Sequence, residues 1–166
     1  SSWKKYKSIN KYSIGIEISN PGHENSYKKF SKKQIKSILK LSSYLIKKYK
    51  IKSNFILGHS DIAPDRKKDP GENFPWKYLS KKNIGLWHEL NEIKILKKRN
   101  QKVSKLQKEK FLKNLYKIGY PKIIFLNQRK YFRLLTIAFQ RKYRQKLVNG
   151  LIDQECYFIS KNLLKK

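Results

Sequence analysis

The sequence predicts an α/β domain followed by a small helical unit. Three observations carry that expectation: an alternating isoleucine run at 13–19, a strand, helix, strand order between residues 13 and 57, and three helical patterns after residue 104. With 166 residues and 39% apolar content, the chain has enough material for one ordinary domain and an appendage.

Ser13-Ile14-Gly15-Ile16-Glu17-Ile18-Ser19 alternates isoleucine with small or polar residues, the period of a half-buried strand. Ile14, Ile16 and Ile18 share one face and Glu17 takes the other, and Asn20, Pro21 and Gly22 end the run. Ser31 opens a helix, because Gln34 three residues later completes a capping box. Its buried stripe is Ile35, Ile38, Leu39, Leu45, Ile46 and Tyr49. A second short strand, Asn54 to Leu57, stops at Gly58. From His59 to Pro75 the periodicity ends; Pro64, Pro70, Pro75 and Gly71 make this a long loop, the kind of segment that carries function. Trp76 to Leu79 reads as one helical turn.

Residues 91–103 are polar and lysine-rich and read as a linker between units at 1–90 and 104–166. Ser104 and Gln107 form a second capping box, and that helix ends at Gly119 with Pro121 beyond. Another helix runs from Gln128 to Tyr143 and buries Phe132, Leu135 and Phe139. The last takes Asp153 as its N-cap and carries Ile159 and Leu163.

Forty-one Lys and Arg face eleven Asp and Glu, a net charge of +30 that favours anionic partners. The lysines are spread evenly, and the richness in Lys, Ile, Asn and Tyr is that of an AT-rich genome. No compact basic block with interleaved aromatics stands out, so nucleic acid is not the expected partner. No stretch approaches the roughly 18 apolar residues of a membrane span. Cys156, the single cysteine, excludes an internal disulfide and a cysteine-cluster metal site and reads as a small buried hydrophobe. The chain has no methionine and no apolar leader behind Ser1, so the expectation is a stretch that starts inside a longer protein.

Acidic residues are scarce, yet Asp61, Asp65, Asp69 and Glu72 crowd into twelve positions directly after His59, one of three histidines. Imidazole and carboxylates on a proline-rich loop suit a borderline metal such as zinc. A loop histidine among turn-forming aspartates fits the same residues.

The words of the loop are more specific. Gly58-His59-Ser60-Asp61-Ile62-Ala63-Pro64-Asp65-Arg66-Lys67-Lys68-Asp69-Pro70-Gly71 resembles the metal loop of the type 2 N-acetylmuramoyl-L-alanine amidases (AmiD/AmpD-like). Ser13 to Ile18 resembles that family's central strand, Asn20-Pro21-Gly22-His23 its continuation, and Phe74-Pro75-Trp76 the segment after the loop. The resemblance implies a mixed β-sheet flanked by helices, with His59 and Asp69 as ligands to Zn2+. It implies that Lys67 points at the substrate carbonyl oxygen and that Glu17 orients or deprotonates water. His23, Asn20 and Trp76 would line the substrate cleft, and His88 would be structural. The family's first histidine ligand has no counterpart here, because its place falls before Ser1; a site with two ligands holds zinc poorly, and this stretch alone is expected to be inactive. The tail resembles a small helical peptidoglycan-binding domain through Leu115-Tyr116-Lys117-Ile118-Gly119-Tyr120, Ala138-Phe139-Gln140 and Gly150-Leu151-Ile152-Asp153.

The implied activity is hydrolysis of the amide between the lactyl group of muramic acid and L-alanine, in peptidoglycan or muropeptides. The helical tail points to the bacterial envelope rather than the cytoplasm. Two rivals stand beside it: a zinc-free protein that holds peptidoglycan without cutting it, and a nucleic-acid binder using the +30 charge. The second predicts steep loss of affinity with salt and leaves the loop signature unexplained.

Overall fold

A computed structural model describes residues 1–122 and 127–165. Helices form where local signals place them. α1 spans Lys32–Tyr49, and Ser31 Oγ accepts from the Gln34 N–H at 3.2 Å while Gln34 Oε1 accepts from the Ser31 N–H at 2.8 Å. The same box at Ser104 and Gln107 starts α5, Lys105–Ile118. Asn127 caps α6, Gln128–Tyr143, and Asp153 caps α7, Gln154–Leu163. Three short helices complete the set in chain order before α5: α2 at His59–Ile62, α3 at Trp76–Ser80 and α4 at Glu92–Leu96.

The strands differ from expectation. Residues 13–19 form no ladder among the described residues, and Ile14 and Ile16 are 50% and 39% exposed. Residues 53–55 close a 3-10 turn where the second strand was expected. The reason is physical: a strand's N–H and C=O groups need a neighbouring strand, and an alternating pattern alone cannot supply one. The described sheet is instead two short antiparallel strands, β1 at Ser2–Trp3 and β2 at Tyr6–Lys7, with Ser2 opposite Lys7 and Trp3 opposite Tyr6. The metal-loop region also departs from pure loop, because α2 opens it. Tyr49, expected in the buried stripe of α1, is 53% exposed at the last turn.

The larger core gathers Phe111, Leu115, Leu135, Phe139, Cys156 and Ile159 from α5, α6 and α7. Each such side chain contributes about 1.5–3 kcal/mol by leaving water. Three members come from elsewhere: Trp3, Tyr120 just past α5 and, from α4 within 91–103, Ile95. Trp3 packs edge-on against Tyr120 at 5.1 Å, and its Nε1 donates to Asn54 O at 3.2 Å. Gly119 makes room for that indole: a Cβ there would meet the ring at 2.5 Å, and its φ of +137° suits only glycine. A second cluster holds Phe30, Ile38, Phe74, Trp76, Leu79 and Ile84 behind the 58–72 loop. His88 is buried, as a structural histidine would be.

Beneath α7, Asp153 accepts from the Cys156 N–H at 2.9 Å and from Arg144 Nη1 at 2.5 Å, while Arg99 forks onto Glu155 at 2.6 and 2.8 Å. Carboxylates at a helix N-terminus also meet its dipole favourably. Gln140, wholly buried, accepts from the Asn149 and Gly150 N–H groups and donates to Leu151 O, which shapes the turn before α7.

Candidate active site

The 58–72 loop is closed at its base by its own backbone. Ser60 N–H donates to Asp69 O at 2.9 Å, and Lys67 N–H donates to Ala63 O at 3.0 Å. That closure brings His59, the first residue of α2, to Asp69 across the loop: Nδ1 and Oδ2 are 3.1 Å apart. Both side chains face solvent, at 41% and 62% exposure, so the pair is open to a ligand. Lys67 lies half-buried on the same loop and Glu17 is exposed on the 13–19 segment.

Around this pair the loop is buttressed from behind. Tyr27 O–H donates to Pro70 O at 2.6 Å and accepts from the Asn73 N–H at 2.9 Å. Burial pushes the Tyr27 phenol up to about 12, with the nearby Glu72 charge adding to it. His23 stacks on Tyr27 at 4.3 Å, and its Nε2 meets both oxygens of Glu72 at 3.2 and 3.0 Å. Burial works to raise the Glu72 carboxyl, but the His23 bond, its own backbone N–H and the charges of His23 and Arg141 outweigh it, leaving it below the usual carboxylate value. Asn20 shapes the approach: its Oδ1 accepts from the Gly22 N–H and its Nδ2 donates to Lys28 O, both at 3.0 Å.

Trp76, expected to line the cleft, is only 4% exposed. Its indole packs against Phe74 at 4.7 Å and under the Lys142 ammonium at 4.4 Å, so it supports the loop from inside. Sequence reasoning passed over the residues that hold the loop in place: Tyr27, Tyr120, Arg141 and Lys142. No signal in the sequence marks them: only the structure shows that Asp61 is 1% exposed and so needs a buried partner for its charge.

The donors fit zinc in kind, one imidazole and one carboxylate on a rigid loop, but not in number. Among the described residues no group of three or more His, Cys, Asp or Glu converges, whereas catalytic zinc takes about three protein ligands.

Comparison with known proteins bears on the family and the fold. Residues 2–72 match the family model described as N-acetylmuramoyl-L-alanine amidase (Amidase_2). The N-acetylmuramoyl-L-alanine amidase AmiD of Escherichia coli is 32% identical over an alignment of 171 positions, covering 100% of this chain and 62% of that protein. The 1,6-anhydro-N-acetylmuramyl-L-alanine amidase AmpD of Haemophilus influenzae is 37% identical over 82 positions, 48% of this chain and 42% of that one. A solved structure of the Escherichia coli AmiD in complex with anhydro-N-acetylmuramic acid-L-Ala-D-gamma-Glu-L-Lys superposes with a TM-score of 0.87 at 30% identity, covering 99% of this chain and 65% of that one. The chain thus spans less than two thirds of the length of these relatives. Residues 2–72 match the N-acetylmuramoyl-L-alanine amidase family model, and nearly the whole chain shares the fold of a solved amidase.

Proposed function

We propose that the protein containing this chain is a zinc-dependent amidase that separates the muramic acid lactyl group from L-alanine in peptidoglycan or muropeptides. The observation that carries the reading is the exposed His59–Asp69 pair, 3.1 Å apart on a loop fixed from behind. In this reading His59 and Asp69 are two of the zinc ligands. Zinc, when bound, supplies water with a pKa near about 7. Glu17 handles the proton of the attacking water, and Lys67 places its ammonium where negative charge grows on the carbonyl oxygen. His23 and Asn20 form the rim of the substrate cleft, with Trp76 behind it.

Two ligands hold zinc weakly, so this stretch by itself is proposed to be inactive. We assign cutting to residues 1–90 and wall binding to 104–166, joined through 91–103. A cleft on the helical half, with Phe132 and Leu151 on its wall and Lys102, Lys108, Arg129 and Arg133 at its rim, offers positive charge beside apolar surface to an anionic wall fragment. That half favours placement in the bacterial envelope. Among the described residues no helix is long and apolar enough to cross a membrane.

The deciding experiment measures zinc content and muropeptide cleavage for this chain and for the full gene product. The full product is expected to hold one zinc and release peptides headed by L-alanine. Lys67→Met should then cost about 10²–10³ in kcat and Glu17→Gln about 10²–10⁴. A full product that holds no zinc and cuts nothing, yet still sediments with peptidoglycan, would establish the binding protein instead. The count of two donors is the observation that favours this second reading.

A further inference from the structure

Helix α6 runs behind the candidate site and reaches its loop at two points, and the turn after the helix adds a third contact. Lys142 Nζ donates to Asp61 Oδ2 at 2.7 Å and to Ile56 O at 3.2 Å. Both side chains are nearly sealed from solvent, at 3% and 1% exposure. The other Asp61 oxygen accepts from Tyr120 O–H at 2.8 Å, and Asp61 Oδ2 also accepts from the Gly58 N–H at 2.8 Å, immediately before His59. One residue earlier on α6, Arg141 lies 3.5 Å from Glu72, which in turn holds His23. Just past the end of α6, Gln145 Nε2 donates to Phe74 O at 2.6 Å, two residues beyond the loop. The loop that carries His59 and Asp69 is therefore gripped by one helix of the tail at its entry, through Asp61, and at its exit, through Glu72, while the turn after that helix holds Phe74.

We propose that α6 is the positioning element of the candidate active site, with Lys142 and Arg141 as positioning residues that fix the separation of His59 and Asp69. The helical half then has a second job besides any wall binding: it completes the geometry of the first half. The grip is suited to this. A buried ion pair contributes little net stability, yet losing one partner leaves an uncompensated charge that forces local rearrangement. Here that rearrangement falls on Gly58 and Asp61, the residues on either side of His59 and Ser60. The grip stands on geometry alone; its importance for amide cleavage rests on the function proposed above.

The test is amide exchange on the intact protein carrying Lys142→Met. Gly58, Ser60 and Lys67 N–H groups, whose partners all lie in the loop, are expected to exchange at least about tenfold faster, while α5 and α7 amides change less than about threefold. Lys142→Arg, which keeps the charge, should recover part of that protection. If Lys142→Met loosens α5 and α7 equally, Arg141→Met is read in the same way, because its side chain is 16% exposed and tolerates loss better. Loop-selective exchange in that variant supports the grip; uniform or unchanged exchange in both variants overturns it. In the full product, kcat for muropeptide cleavage should fall in Lys142→Met with KM little moved. If the unsubstituted product does not cleave at all, the functional reading fails while the exchange result still decides the grip.

Discussion

Residues 13–19 and helix α6 both follow a clear apolar period, and they end in opposite states. The first leaves Ile14 half exposed; the second buries Leu135 and Phe139 completely. The difference lies in what each period promises. A helix closes its own backbone hydrogen bonds, so a stripe of apolar residues needs only another surface to pack on. A strand's alternation is half of an interaction, and without a ladder its backbone and its apolar face both stay open. The same contrast separates the well-capped α1 from the turn at 53–55, where a strand was expected.

Substitutions sharpen that contrast. Phe139→Ala should lower unfolding free energy by about 3–5 kcal/mol in urea denaturation, because it opens a cavity in the shared core. An effect below about 1 kcal/mol would mean that the helical core is looser than its burial indicates. Ser104→Ala removes the side chain that accepts from the Gln107 N–H and should cost about 1 kcal/mol by the same measurement. A smaller effect is expected from acid. The Glu72 pKa is lowered in the folded protein, so its contribution is present above the unfolded carboxylate value and is lost as pH falls through the lower, folded one. Stability curves of the protein and of Glu72→Gln should therefore converge in that acid window and separate above it. Ile16→Ser should change stability by less than about 0.5 kcal/mol in the chain as described; a cost near that of a core residue would show that the 13–19 segment is packed in solution.

Legibility followed the same division. Ser31, Ser104, Asn127 and Asp153 cap helices in the structure, and the caps at Ser31, Ser104 and Asp153 were plain in the sequence because capping is local chemistry. The 58–71 loop was legible as words, and the structure joins His59 to Asp69. What sequence could not reveal is what holds that loop. Asp61 and Lys142 are 81 residues apart, and one lysine among so many carries no mark. Likewise Ile95, within a lysine-rich stretch that reads as a linker, gives no local hint that it enters the larger core.

Gln140 has a consequence for which parts of the tail are free to vary. Its one amide side chain reads the main chain of residues 149–151, accepting from two N–H groups and donating to a carbonyl. Within the turn, Asn149 Oδ1 adds to that hold by accepting from Gln140, Arg144 and the Leu151 N–H, while the Leu151 side chain points out at 65% exposure. Gly150 is fixed for a different reason, since its φ of +75° and the Arg133 side chain, 2.8 Å from where a Cβ would sit, disfavour another residue. Drift among close relatives should thus be nearly absent at 140, 149 and 150. The shape of this turn is inherited through a glutamine that lies outside it.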